Sequence, residues 1–213
     1  MLSGVGLSWL TRLEQGRANS VSAEVLDGLA VALRLSGPER LHLYDLADVH
    51  PPADGVGGQV ADEMQRILVD SLEPNPAYVL DHTWNLVCWN RPQAELFPVI
   101  ETVDGPPNLL RLTLKTDALR SFMTDWQEEV SRLASQFRLH LGRFPSEEGG
   151  ALVGELRADH PEFAAAWRAQ DVAVFSPKIR RFSSGAGEAA YHHHRLALPD
   201  HPGWSAVIYT PVG

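Results

Sequence analysis

The chain is short of several things, and each shortage removes a class of function. It has one cysteine, Cys88, so no internal disulfide can form, and a reducing compartment is the expected setting. No apolar run approaches the roughly 20 residues of a membrane span. The first residues, Met1-Leu2-Ser3-Gly4-Val5-Gly6, have neither the basic start nor the apolar stretch of an export signal. The expected location is therefore cytoplasmic, with no membrane partner. Catalytic motifs are missing too: there is no Gly-x-Ser-x-Gly, no glycine-rich phosphate loop and no paired-carboxylate pattern. No catalytic residue is assigned, and the chain is not expected to be an enzyme. His-x-x-x-His and Cys-x-x-Cys are absent as well, so no metal site and no required cofactor are expected.

Positive charge is scarce. Eighteen Lys and Arg face 27 Asp and Glu, a formal net charge of −9. That composition argues against a general nucleic-acid binder, whose affinity comes from neutralising phosphates. Residues 1–50 hold four Arg, no Lys and six acidic residues, a local balance of −2.

What is present divides the 213 residues in two. Residues 1–50 are helical in pattern: Leu7, Leu10 and Leu13 recur on one face before Gly16. Ser22 is placed to cap a helix over 23–35 with a stripe of Val25, Leu26, Leu29, Ala30 and Leu33. Gly37-Pro38 opens a third helix, with Leu41, Leu43, Leu46 and Ala47 inward. Residues 51–59, rich in Pro and Gly, read as a linker.

From residue 60 to 213 the pattern is mixed. A helix is expected over 60–71, then strands over 77–81 and 85–89, with Leu86 and Cys88 on one face and Val87 and Trp89 on the other. Asn90 is placed to cap a helix holding Pro92, Ala94, Leu96 and Phe97. Residues 108–141 read as helical, with Trp126, Val130, Leu133, Ala134 and Phe137 in one stripe. A further helical stretch covers 151–170 with a break near Pro161, and strands are expected over 172–175, 179–182, 188–198 and 205–210. The fold class is therefore α+β: an all-α N-terminal piece, then an antiparallel sheet covered by helices on one side.

The segment Leu7-Ser8-Trp9-Leu10-Thr11-Arg12-Leu13-Glu14-Gln15-Gly16-Arg17, with Gly4-Val5 before it, resembles the turn and recognition helix of XRE-type helix-turn-helix proteins. The resemblance places Leu7, Ser8, Thr11 and Arg12 toward bases and Arg17 and Asn19 toward the DNA backbone. By spacing alone they equally fit a solvated helix face. Against that family the sequence starts at the turn before the third helix. This shortened domain is expected to bind DNA weakly or not at all.

Residues 60–213 resemble the ligand-binding domain of MmyB-like regulators of actinomycetes and related bacteria. The residues that carry the likeness are Asn75-Pro76-Ala77-Tyr78-Val79-Leu80, Trp84-Asn85-Leu86-Val87-Cys88-Trp89-Asn90, Asn108-Leu109-Leu110-Arg111-Leu112, Asp125-Trp126, Leu152-Val153-Gly154-Glu155-Leu156, His160-Pro161-Glu162-Phe163 through Trp167, and Ile208-Tyr209-Thr210. It implies a PAS-like fold, a five-stranded antiparallel sheet under helices, and a bound fatty acid or similar apolar molecule. Trp89, Phe97, Leu109, Phe122, Trp126, Val130, Phe137, Phe163 and Trp167 are candidate pocket residues, since such sites are walled by large apolar side chains. Singly, each aromatic is more readily a core residue; only as a set do they suggest a pocket. Arg138 and His140, on the long helix, are candidates for an anionic head group, although a solvated helix face accounts for them more simply. In the triplet His192-His193-His194, strand alternation puts the middle residue on the opposite face, and His193 is the pocket-facing candidate. The combined expectation is a ligand-responsive regulator that binds DNA as a homodimer. The alternative is a PAS-like dimerisation module with no small ligand.

Overall fold

A computed structural model describes residues 21–47, 49, 63–115, 117–176, 178–184 and 187–213. The chain forms two compact units, Met1–Asp54 and Gly55–Gly213. The six expected DNA-contacting residues lie outside the described residues.

In the first unit α1 spans Ala23–Leu33 and α2 spans Gly37–Leu46. Ser22 stands at the N-cap position of α1 but its side chain makes no capping bond, its carbonyl accepting from Val25 and Leu26; the helix ends on Arg34 in a left-handed conformation. Glu39 accepts from the Ser36 amide at 2.8 Å and hydroxyl at 2.7 Å, so α2 opens on a capping box. Leu26, Leu29 and Ala30 are buried, whereas Leu33, expected in the same stripe, is exposed. On α2 the buried side chain is Tyr44, and Leu41 and Leu46, expected inward, are exposed. The Tyr44 hydroxyl lies 2.8 Å from the Asp27 carboxylate, which also takes Arg40. That polar anchor sets the rotation of α2 and leaves the leucines outside.

The second unit contains α3 (Glu63–Asp70), β1 (Ala77–Leu80), β2 (Leu86–Trp89), α4 (Arg91–Leu96) and a 3₁₀ turn (Pro98–Glu101). Then come α5 (Leu109–Lys115), α6 (Asp117–Phe122), α7 (Trp126–Arg143), α8 (Glu147–Asp159) and α9 (Pro161–Arg168). The chain closes on β3 (Lys178–Ser184), β4 (Gly187–Ala197) and β5 (Ser205–Pro211). The five strands form one antiparallel sheet in the order β2-β1-β5-β4-β3. Its inner face, under α4 to α9, carries the larger core, including Tyr78, Leu80, Trp84, Phe137, Phe182 and Tyr209. Its outer face packs Ala77, Val79 and Cys88 against Val69 of α3 and Trp204. Among the described residues no helix is long and apolar enough to cross a membrane.

Three expectations change. Residues 172–175 form no strand: Val172 and Val174 are exposed, so their alternation serves no buried face. The stretch expected to be helical over 108–141 is three helices, the first opened by Asn108, whose side-chain oxygen accepts from Leu110 and Arg111 amides. Leu86 and Cys88 do not share a face. Val79 pairs with Cys88 and Leu80 with Leu86, so Val87 is an inserted residue. This bulge turns Leu86 to the inner core and Cys88 to the outer one.

Two polar junctions fix the β1–β2 end. Asp81 accepts from the amides of Thr83 and Asn85 at 2.7 and 2.9 Å, closing a tight turn in which Trp84 takes a positive φ of 64°. Asn90 accepts from the Ala77 and Gln93 amides and donates to the carbonyls of Val69 and Asn75, at 2.9–3.1 Å. One side chain thereby joins α3, β1 and α4.

Candidate functional site

Between the inner face of the sheet and its helices lies a cavity of about 40 Å³. Phe97, Val99 and Ile100 wall it from α4 and the 3₁₀ turn, Leu109 and Leu112 from α5, and Leu119, Met123 and Leu133 from the following segments. These walls are apolar. One side is polar: Tyr78, Arg180, His193 and Tyr209 rise from neighbouring strands and Glu129 comes from α7, while Gln93 of α4 and Thr113 of α5 also line the cavity.

Strand alternation builds the polar end. In β4, Tyr191, His193 and Arg195 are alternate residues, and the register places His193 opposite Tyr209 of β5 and Arg180 opposite Tyr191. The His193 and Tyr209 rings stack with centroids 4.9 Å apart. Arg180 donates through Nε to His193 Nδ1 at 3.0 Å. Because a guanidinium only donates, Nδ1 must be the acceptor, and the histidine proton sits on Nε2. That buried Nε2 has no hydrogen-bond partner among the described residues, and neither does Gln93 Oε1.

Glu129 accepts from both Arg132 and Arg180. The side chains of Glu129 and Arg180 are only 12% and 7% exposed, so this is a buried charge cluster. Burial works against the Glu129 carboxylate, but Arg180 and Arg132 outweigh it and hold its pKa below the usual carboxylate range. Burial, and then Arg180, drive His193 well below its ordinary value, so the ring is neutral near pH 7. Burial raises both Tyr78 and Tyr209. Arg195, also mostly buried and lowered to about 10 by that burial, lies over the Trp84 ring at 4.6 Å and donates to Ser205. Two arginines, Arg180 and Arg132, therefore share one carboxylate. A net positive surplus in a low-dielectric setting favours an incoming anion.

Phe97, Leu109 and His193 stand at the cavity wall. The other candidate pocket residues sit elsewhere. Phe122 stacks on Phe182 at 5.0 Å, behind Phe97. Trp126, whose indole donates to the Thr113 carbonyl at 2.8 Å, and Val130 are core residues of α7. Phe137 meets Trp84 edge-on at 4.9 Å. Phe163 and Trp167 stack on α9, and Arg138 lies over the Trp167 ring and donates to its carbonyl, so Arg138 joins α7 to α9. Trp89 borders a shallow surface cleft with Arg91 and Glu95. The sequence reading missed Arg180, Glu129, Gln93, Tyr78 and Tyr209. The arginine at an alternate position before Phe182 was the one available signal.

His192 and His194 share the outer face, with ring centroids 6.3 Å apart, and His193 faces inward. Among the described residues no group of three His, Cys, Asp or Glu is placed to hold a metal ion.

Comparison with known families gives two matches. Residues 60–212 match the MmyB-like transcription regulator ligand binding domain, and residues 1–43 match a helix-turn-helix domain. No curated protein matches the chain. The first match spans most of the sequence, and the chain belongs to the MmyB-like transcription regulator family. A helix-turn-helix domain followed by a ligand-binding domain is the make-up of a ligand-regulated transcription regulator.

Proposed function

We propose that this MmyB-like regulator senses an amphipathic anion, of which a fatty acid is the simplest form, in the cavity between sheet and helices. The observation that carries the reading is the polar end: Arg180, His193 and Tyr209 side by side on the sheet, facing apolar walls from four helical segments. A carboxylate there gains charge-assisted bonds from a guanidinium, and the orphan His193 Nε2–H gains an acceptor. The acyl chain lies against Phe97, Ile100, Leu112 and Leu133.

The size of the cavity supplies the coupling. Ligand pockets hold roughly 300–1,000 Å³, and this one is about 40 Å³. An acyl chain fits only when the helices over the sheet part, so ligand binding favours an arrangement different from the empty one. A ligand shifts DNA affinity only through such a difference. In this reading the chain acts in the cytoplasm as a homodimer on two half-sites about one DNA turn apart, with no cofactor required and no enzymatic step. Domain boundaries at 50 and 60 separate the DNA reader from the sensor.

The test is calorimetric titration of decanoate into the whole chain, with decanol as the neutral comparison. Decanoate binding several-fold tighter than decanol is the expected result. Equal binding of the two, or no decanoate binding, would refute the proposal. The small cavity also fits a second reading, a dimerising module filled by its own side chains, for which no fatty acid binds at all.

A further inference from the structure

We propose that Glu129 is a built-in stand-in for the ligand's head group: an acidic ligand replaces it on Arg180, and the exchange unties the start of α7 from β3. This rests on the reading of the cavity as an acid site. Three residues, Met123, Glu129 and Arg180, wall both the inner cavity and a cleft open to the surface between Asp125 and Lys178. The Glu129–Arg180 pair thus stands in the partition that an acid arriving from outside would meet.

The exchange leaves no buried charge alone. Glu129 has a second partner, Arg132, one turn further along the same helix, so the Glu129–Arg132 pair moves with α7 as a unit. Arg180 meanwhile trades one carboxylate for another. Removing one partner of a buried pair without replacement is strongly destabilising, and here the replacement arrives with the ligand. A neutral ligand with the same chain has no charge to offer Arg180 in place of Glu129 and leaves the pair closed.

What remains between the start of α7 and β3 is weak. Lys178 pairs with Glu128 at 2.9 Å, but both side chains are exposed, and such pairs contribute little. Just before α7, Met123 bridges to Phe182 through the backbone. With Arg180 occupied by ligand, α7 loses its one buried ionic tie to the sheet among the described residues, and its first two turns gain freedom to move. Glu129 therefore sets both the head-group selectivity and the readout.

The experiment measures decanoate and decanol binding to the whole chain, wild type and Glu129→Gln, by calorimetry. The glutamine keeps size and an acceptor for Arg180 but not the competing charge. Decanoate affinity is expected to rise about tenfold in the variant, with decanol affinity unchanged. In the wild type, hydrogen exchange of residues 126–132 is expected to quicken with decanoate and not with decanol, a readout that does not depend on the variant folding. Unchanged or weaker decanoate binding by folded Glu129→Gln overturns the exchange while leaving the acid site standing, as does slowed exchange over 126–132 in the decanoate-bound wild type. Absence of decanoate binding by both proteins overturns the acid site itself, and the exchange with it.

Discussion

His140 offers a perturbation whose size can be worked from its surroundings. It lies on α7, packed between Trp84 at 5.7 Å and Phe144 at 5.1 Å, with Nε2 2.8 Å from the His82 carbonyl. Burial, and then the charge of Arg195, lower its pKa from 6.5 to about 4. A histidine with a depressed folded value binds its proton more weakly in the folded chain than in the unfolded one. Its contribution to stability is therefore intact above pH 6.5 and drains as pH falls toward 4. At pH 5 the loss from this one group is about 2 kcal/mol. His193, held neutral by burial and Arg180, loses stability in the same direction. The depressed carboxylates Glu129 and Glu155 contribute above the ordinary carboxylate value of 4.5 and are lost only as pH falls below it. Urea unfolding followed by tryptophan emission at pH 7.5 and pH 5.0 separates these groups. In His140→Gln the stability difference between the two pH values is expected to shrink by about 2 kcal/mol relative to wild type. An unchanged difference would refute the assignment of His140 as a half-buried neutral ring.

Phe137→Ala removes a fully buried ring that meets Trp84 edge-on, and a loss of about 3–5 kcal/mol is expected in chemical denaturation; a loss below 1 kcal/mol would show that the α7–sheet core tolerates the void. Asn90→Ala leaves two amides and two carbonyls without their bonds and is expected to cost about 3 kcal/mol. Asn90→Asp is expected to do no better, since its carboxylate would face the Val69 and Asn75 carbonyls without a donor; near-native stability of the aspartate would contradict the bonding pattern.

The parts of the molecule that repeat were legible in the sequence. The stripe Trp126, Val130, Leu133, Ala134, Phe137 holds the helical period over a long helix, and every member is buried. Asn90 sits before a proline-containing turn and caps it as its chemistry dictates. His193 was assigned inward because strand alternation needs no knowledge of the partner strand. Where a second segment decides, the sequence was silent. Whether Leu86 and Cys88 share a face depends on a bulge that exists only in the pairing with β1. Leu33 and Leu46 carry the right residue type at the right spacing and are exposed. The two arginines show the same limit. Arg138, beside Phe137 in a clear helix, invited a ligand role but is taken by Trp167. Arg180 lies in the run Lys178-Ile179-Arg180-Arg181 of β3. Only the register with Tyr191 and His193 brings it to the cavity.

The most direct check on an acid-sensing cavity is calorimetric titration of decanoate into wild type and Arg180→Met, with decanol as the neutral comparison. Decanoate is expected to bind the wild type and to lose at least about tenfold in affinity in the variant, while decanol binds both alike. Equal decanoate affinity in the two proteins, or none in either, would contradict a head-group site at Arg180.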